Sequence, residues 1–339
     1  MVASKVTSLD VARLAGVSQS AVSRVFTPGA SASKKTIEKV RKAAEQLGYR
    51  PNVLARAMVS GRSRIIGLIV AYLNNQFYPE ALERLSNALQ ERGYHVLIFM
   101  ASHSSNNIDN VVEEILDFQV DGIIAASVAL SSDLSERCRA ADVPMVLFNR
   151  AQDDPAMSSV TSDNVAGGRK VAEFLLAGRH KKIGYIAGWE GASTQRDREA
   201  GFVAALRDAG TNLHAREVGN FTTKEAQEAA RRMFASDPPD AVFVANDHMA
   251  MAVMDTLRFE LGLKIPQDVS IVGYDDVAVA AWPAYDLTTV RQPANRMVAE
   301  TVDILLSKIE NPDAGPRRIE IDGPLIVRGS ARIPEGWKT

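Results

Sequence analysis

The sequence predicts an N-terminal all-α headpiece of helix-turn-helix type with a hinge helix, followed by a larger α/β part of two lobes with parallel sheets. Three observations carry this reading. Residues 1–64 hold twelve Lys/Arg against three Asp/Glu, a net +9, which leaves 27 against 38, a net −11, in a chain whose overall charge is only −2. Within the basic segment, two short helices with clear start signals are separated by a turn of two residues. Beyond Arg64, short apolar runs alternate with amphipathic helices, the pattern of βαβ units.

Length and composition allow this architecture. At 339 residues the chain exceeds the roughly 250–300 at which one hydrophobic core stops growing. Apolar residues make up 46% of it, enough to fill more than one core. The single cysteine, Cys138, excludes an internal disulfide and a cysteine-rich metal site, and fits plain packing in a reducing compartment. The opening stretch MVASKVTSLDVARLAG is broken by Lys5, Asp10 and Arg13, unlike a signal peptide, and no run of about 18 apolar residues is available to span a membrane. The expectation is a cytoplasmic protein without a membrane partner.

Thr7-Ser8-Leu9-Asp10 has the form of a capping box ahead of Val11, Ala12, Leu14 and Ala15, so a first helix is expected to end at Gly16. Ser18 then caps a second helix in which Ala21, Val22, Val25 and Phe26 face inward while Ser20 and Arg24, four apart, share the outer face. Such a second helix, carrying small polar residues and an arginine outward, fits the major groove of DNA. A third helix over Ser33 to Leu47 turns Lys34, Lys35, Lys39, Arg41 and Lys42 outward and Ile37, Val40, Ala44 and Leu47 inward. A basic three-helix bundle that binds protein, or nothing, is the competing reading. The charge argues against it, because +9 on so short a segment repels itself unless phosphates neutralise it.

The joint is Arg50 to Arg64. Asn52 behind Pro51 can cap a short helix over Val53 to Val59, which Gly61 ends. Isolated helices under about 12–15 residues are marginal in water, so this one is predicted to fold only against a partner.

In the long second part the strand candidates are Ile65 to Ala71, His95 to Met100, Gly122 to Ala126, Met145 to Phe148, Ile183 to Ala187, Ala241 to Ala245 and Ser270 to Gly273. Helices are expected over Tyr78 to Arg92, Asn164 to Leu176, Thr194 to Ala209, Lys224 to Ala235 and Met249 to Leu261. A boundary near Ser162-Asp163 makes two similar lobes, and a last helix from Pro293 to Ile309 with possible strands Arg318 to Ile321 and Leu325 to Val327 returns to complete both. In open parallel sheets ligands bind beyond the carboxyl ends of the strands. That rule selects Tyr72, Asn74 to Tyr78, Asn149-Arg150, Gly188 to Arg196, Asn246-Asp247 and Asp275-Asp276. Amides, arginines, carboxylates and aromatic rings together suit a polyol, although polar residues follow strands in any loop.

These motifs carry a family resemblance. Asp10 to Ser18 (DVARLAGVS), Val22 to Val25 (VSRV), Leu47 to Asn52 (LGYRPN), Gly61 to Arg64 (GRSR) before Ile66 to Ile69 (IGLI), Ala245 to Asp247 (AND), Pro266 to Asp276 (PQDVSIVGYDD) and Leu287 to Val290 (LTTV) stand in order along the chain. It resembles the lactose-repressor/galactose-repressor (LacI/GalR) family of bacterial transcription regulators. The resemblance implies a homodimer, a headpiece that reads half of a near-palindromic operator, a hinge helix in the minor groove, and a two-lobed sensor of periplasmic-binding-protein type for a small effector, a sugar or sugar acid.

Residue by residue, the resemblance places base reading on Gln19, Ser20 and Arg24, with arginine suited to guanine and glutamine to adenine. It places Asn52, Ala55 and Met58 of the hinge in the minor groove, Met58 standing where the family has a leucine wedge. Ala21 replaces the family's threonine, and Thr27-Pro28-Gly29 departs from its Asn-Gly. Effector binding falls on Phe77, Asn149, Arg196, Phe221, Asn246 and Asp275, with Arg196 giving a fork of donors, Asp275 accepting from hydroxyls and Phe221 stacking on the ring. Asp276 is expected to be structural. The implied divisions are a headpiece at 1–49, a hinge at 50–63, one lobe from 64–162 and 293–323, and a second from 163–292 and 324–339.

A solute-binding protein or a carbohydrate-active enzyme with an unrelated basic N-terminus is the alternative. The sequence holds no GxGxxG, GxxxxGK[ST] or HExxH and no nucleophile elbow. His95, His103, His180, His214 and His248 are scattered without ligand spacing. No catalytic residue, cofactor or metal is therefore expected.

Overall fold

The computed structural model describes residues 6–26, 30–50, 62–71, 73–101, 111, 113–126 and 132–337. The hinge positions Asn52, Ala55 and Met58, the segment Thr27-Pro28-Gly29, and Tyr72 lie outside them. The chain divides into two units, Met1–Arg64 and Ile65–Thr339.

In the first unit α1 (Ser8–Ala15) begins on the capping box: the Thr7 hydroxyl accepts from the Asp10 N–H, and the Asp10 carboxylate accepts from the Thr7 N–H at 3.0 Å. Gly16 ends the helix at φ +65°, where a side chain would be strained. Next comes α2 (Gln19–Phe26), started by Ser18, whose Oγ accepts from the Ala21 N–H at 3.2 Å. The Ser33 hydroxyl caps α3 (Lys34–Leu47). Val11, Ala12, Ala15, Val22, Val40, Ala43 and Ala44 close the small core, with Phe26 set against Tyr49 at 5.9 Å between ring centres.

The second unit holds two sheets. Strands β1 (Ile65–Val70), β2 (His95–Met100), β3 (Gly122–Ala126), β4 (Met145–Phe148), β5 (Ser158–Ser162) and β11 (Arg318–Ile321) form the first, ordered β11-β5-β4-β3-β1-β2 and parallel throughout. Strands β6 (Ile183–Ala187), β7 (Ala215–Val218), β8 (Ala241–Val244), β9 (Ser270–Asp275), β10 (Thr288–Arg291) and β12 (Leu325–Ile326) form the second, ordered β12-β10-β9-β8-β6-β7, with only β12 antiparallel. The crossovers are α4 (Phe77–Glu91), α5 (Ser132–Ala140), α7 (Ser193–Asp208), α8 (Thr223–Met233) and α9 (Asp247–Asp255), while α6 (Asn164–Ala177) leads from the first sheet to the second and α10 (Ala294–Glu310) returns to the first. Among the described residues no helix is long and apolar enough to cross a membrane. Cys138 is buried and unbridged, and burial pushes its thiol up to about 11.

Three strands escape the pattern read from sequence: β5, β7 and β10. The first is SSVTS, buried along its whole length. Its hydroxyls are satisfied by distant partners: Ser158 Oγ accepts from the Arg317 N–H at 3.1 Å and Ser162 Oγ lies 3.0 Å from Tyr274 Oη.

Two glycines set the approach of α6 to α7. A Cβ on Gly168 would lie 2.1 Å from the Arg198 carbonyl oxygen, and one on Gly201 would lie 2.0 Å from that of Val165. Only residues without a side chain permit backbone contact this close.

Candidate functional site

On the headpiece, Gln19, Ser20 and Arg24 all lie exposed on α2. The Gln19 amide donates to Ser8 Oγ at 2.9 Å, Ser18 and Ser20 share a hydroxyl contact of 2.9 Å, and Arg24 Nε reaches the Ser20 carbonyl at only 3.4 Å. The guanidinium is thus held weakly and presents donors outward. Lys34, Lys35, Lys39, Arg41 and Lys42 are exposed along α3. A helix offering a forked donor beside a cationic flank is equipped to read base edges while neutralising phosphates.

In the second unit the carboxyl ends of the strands converge on one carboxylate. Asp275, 4% exposed at the end of β9, accepts from Asn75 Nδ2 at 3.0 Å and from Gln292 Nε2 at 2.7 Å. Arg198 lies 3.5 Å from it with both side chains out of solvent. The same guanidinium donates from Nε to Asn164 Oδ1 at 2.9 Å and from a terminal nitrogen to the Ala245 carbonyl, and it stacks 3.6 Å over the Tyr274 ring. Burial pushes the Asp275 carboxyl up, while Arg198, Asn75 and Gln292 pull it back. The turn that carries it is strained, Asp275 at φ +129° and Asp276 at φ +56°. Asp276 is tied down by Arg291 and Arg328, both at 2.6 Å.

The arginine that meets Asp275 is Arg198, not Arg196. Successive helical residues are turned by about 100°, so positions two apart point to nearly opposite sides. Arg198 shares the inward face of α7 with Thr194, Gly201, Phe202 and Ala205, and Arg196 is exposed. The remaining expected residues fall as follows. Asn149 is 3% exposed at the end of β4, at φ +57°, and donates from Nδ2 to Tyr78 Oη at 3.2 Å. Phe77 opens α4 and stacks on Phe148 with ring centres 6.2 Å apart, its ring held in the core. Phe221, at φ +60°, lies against Gly188, where a Cβ would come within 2.2 Å of its ring. Asn246 commits its Oδ1 to the Met249 N–H at 2.9 Å, capping α9. Asn75, inside the selected stretch Asn74 to Tyr78 though not among the six effector positions, joins the cluster around Asp275, as do Gln292, Asn164 and Arg198, which the strand-end rule did not select.

Asp247, beside the site, is fully buried and accepts from the Val277 N–H at 3.0 Å and the Thr289 hydroxyl at 2.6 Å. Burial, with Asp275 adding to it, pushes its carboxyl from 3.8 up to about 7. Between those pH values the folded chain holds a proton that the unfolded chain has released, so this group's contribution to stability is full below the lower value and lost as pH rises through the upper one. Asp247→Asn is expected to flatten the fall in unfolding free energy between pH 4 and 7 by a few kcal/mol at most, at ~1.4 kcal/mol per unit. Urea titrations across that range that show parallel slopes for variant and wild type contradict the assignment.

Comparison with known proteins covers both units of the chain. Residues 7–52 match the bacterial regulatory proteins of the lacI family, and residues 171–331 match the periplasmic binding protein-like domain. The chain is 30% identical over 327 residues to the HTH-type transcriptional repressor PurR of Vibrio vulnificus (strain CMCP6), covering 95% of this chain and 98% of that one. It is 31% identical over 330 residues to the ribose operon repressor of Escherichia coli (strain K12), covering 96% and 99%. Among solved structures, the lac repressor dimer bound to operator and the anti-inducer ONPF superposes with a TM-score of 0.87 at 28% identity, covering 96% of this chain and 99% of that chain. The transcriptional regulator CelR–cellobiose complex gives 0.74 at 30% identity, covering 96% and 100%. The chain therefore belongs to the LacI family of bacterial regulatory proteins: it is a DNA-binding transcription regulator whose hold on DNA is modulated by a small ligand.

Proposed function

We propose that this protein acts in the cytoplasm as a homodimeric repressor, and that a sugar or sugar acid held between its two lobes sets its affinity for a near-palindromic operator. The observation that carries the ligand site is the buried Arg198–Asp275 pair at the strand ends, bonded to Asn75 from the opposite lobe. Asp275 accepts from ligand hydroxyls, Arg198 donates, Asn149 and Gln292 lie on either side, and Phe221 covers the sugar ring. The relatives are repressors, and the site is read as one for binding rather than catalysis. Lobe divisions at 64–162 with 293–323, and 163–292 with 324–339, draw support from sheet membership, since β11 joins the first sheet and β12 the second. For the dimer, support comes from large apolar side chains left exposed, among them Phe259, Trp282 and Ile98 at 82%, 57% and 55%.

A ligand that brings its own oxygens to Asp275 competes with Asn75 and Gln292 for that carboxylate. Ligand entry thereby exchanges a direct bond between lobes for bonds through the ligand. A change in lobe closure is how binding energy in the cleft alters the geometry of a dimer. At the DNA, Gln19, Ser20 and Arg24 read base edges, with Asn52, Ala55 and Met58 in the minor groove.

The test starts from a DNA site selected from a random pool by the full-length protein. Arg24→Ala is expected to weaken binding to that site by roughly 1–3 kcal/mol and to relax base choice at one position per half-site. Affinity for random DNA should change little when anisotropy titrations are run at one fixed salt concentration. Equal weakening on selected and random DNA would show a phosphate contact instead.

A further inference from the structure

Three polar atoms around the cleft have no partner. Asn149 Oδ1, Arg150 Nε and Gln292 Oε1 are buried and unsatisfied, on residues only 3%, 5% and 4% exposed. The Gln292 amide is fixed by its donation to Asp275 at 2.7 Å, so its unpaired atom is an acceptor. Asn149, donating to Tyr78, likewise presents an acceptor; were its amide reversed, it would present a donor instead. Either way the cleft asks for a group with hydroxyls, which both donate and accept.

Arg150 is different in kind. Its side chain is a guanidinium cation, and among the described residues it has no ion-pair partner. Its neighbour is the Trp189 ring, 5.4 Å away, which follows the end of β6 in the other lobe. An aromatic face attracts a cation but does not neutralise it. Buried charges are otherwise paired, because an uncompensated one carries a large desolvation penalty. The other buried arginine of the cleft, Arg198, already has Asp275. The N-terminus of α7 adjoins the same cleft without a side-chain capping bond, and its dipole adds to the positive potential there.

We propose that the ligand is an anion: a polyhydroxylated molecule whose oxyanion, carboxylate or phosphate, pairs with Arg150 while its hydroxyls meet Asn149, Gln292 and Asp275. A neutral sugar supplies the hydroxyls and leaves the Arg150 charge buried and unmatched. This inference rests on the cleft being the ligand site.

The test uses full-length protein and matched probes: glucose, galactose and ribose as neutral members, gluconate, glucuronate and galacturonate as carboxylates, glucose 6-phosphate and ribose 5-phosphate as phosphates. Thermal shift followed by calorimetric titration is expected to find binding in the carboxylate or phosphate arm and none of comparable affinity in the neutral arm. Arg150→Gln should weaken the bound anion on the order of 10- to 100-fold, as the loss of a charge-assisted hydrogen bond does. Arg150→Lys, which keeps the charge but not the fork, should recover part of that loss. A neutral sugar that binds as tightly as its acid, or an anion whose affinity Arg150→Gln leaves unchanged, overturns the inference. Asp275→Asn separates it from the reading beneath it. If neutral sugars bind and Asp275→Asn removes them, the cleft stands and the anion is wrong. Anion binding untouched by Asp275→Asn moves the site elsewhere.

Discussion

Methionine in place of Arg198 is expected to cost about 3–5 kcal/mol of stability, because it removes one partner of a buried ion pair and leaves the other. The loss is compounded by geometry. Besides Asp275, the guanidinium serves Asn164 Oδ1 and the Ala245 carbonyl, and it lies 3.6 Å over Tyr274, so three acceptors lose their donor in one substitution. The Asp275 carboxyl, already raised by burial, loses the strongest influence holding it down, and protonation becomes its easiest relief. For a unit of this size the melting temperature should fall on the order of 10 °C. Ligand response should vanish, while the headpiece, folded around its own core, keeps its contacts to DNA. Asp275→Asn should be damaging in the same way, and the double variant should be less damaging than the sum of the two, because residues in direct contact are not additive. A single Arg198→Met variant that melts with the wild type and still responds to ligand would remove this pair from the centre of the site.

Alanine at Gly201 carries the second large effect, and it acts through backbone. The added methyl would sit 2.0 Å from the Val165 carbonyl oxygen, and a main-chain carbonyl inside a helix cannot swing aside as a long side chain can. The two helices must separate. Overpacking of this kind costs about 1–3 kcal/mol and sometimes more, which exceeds the ~1 kcal/mol that alanine gains over glycine in helix propensity. The consequence reaches the ligand. Arg198 lies one turn before Gly201 on α7, so a helix pushed away from α6 carries its guanidinium away from Asp275. Melting and ligand titration should therefore fall together in Gly201→Ala. A variant that loses stability but binds ligand as before would show that the helix approach serves packing alone.

The headpiece was legible residue by residue because its signals are local. A capping box at Thr7, a serine at each later start and glycines at Gly16 and Gly48 fix three helices within one or two residues, and the inward face of each is set by its own periodicity. The parallel sheets were legible where strands are continuous apolar runs, as in IIGLIV at Ile65–Val70. They were hidden where a strand is polar. SSVTS at Ser158–Ser162 is buried along its whole length, but what satisfies it is the Arg317 backbone and the Tyr274 hydroxyl, more than a hundred residues away in sequence. TTVR at Thr288–Arg291 is likewise polar, buried at its first three residues, and Thr289 donates to Asp247 on another element.

By itself the sequence determined the charge division at Arg64, the helical headpiece with Gln19, Ser20 and Arg24 outward, the βαβ alternation and the loops in which a ligand site had to lie. Tertiary structure decided which side chains gather around Asp275. Asp275 was found from both, yet its partners Asn75, Arg198 and Gln292 come from three separate loops and helices, and no spacing along the chain relates them. The choice of Arg198 over Arg196 is the sharpest case. Both are arginines in one helix, and only the close contact of α6 with α7 through Gly168 and Gly201 establishes which face of that helix is turned toward the carboxylate.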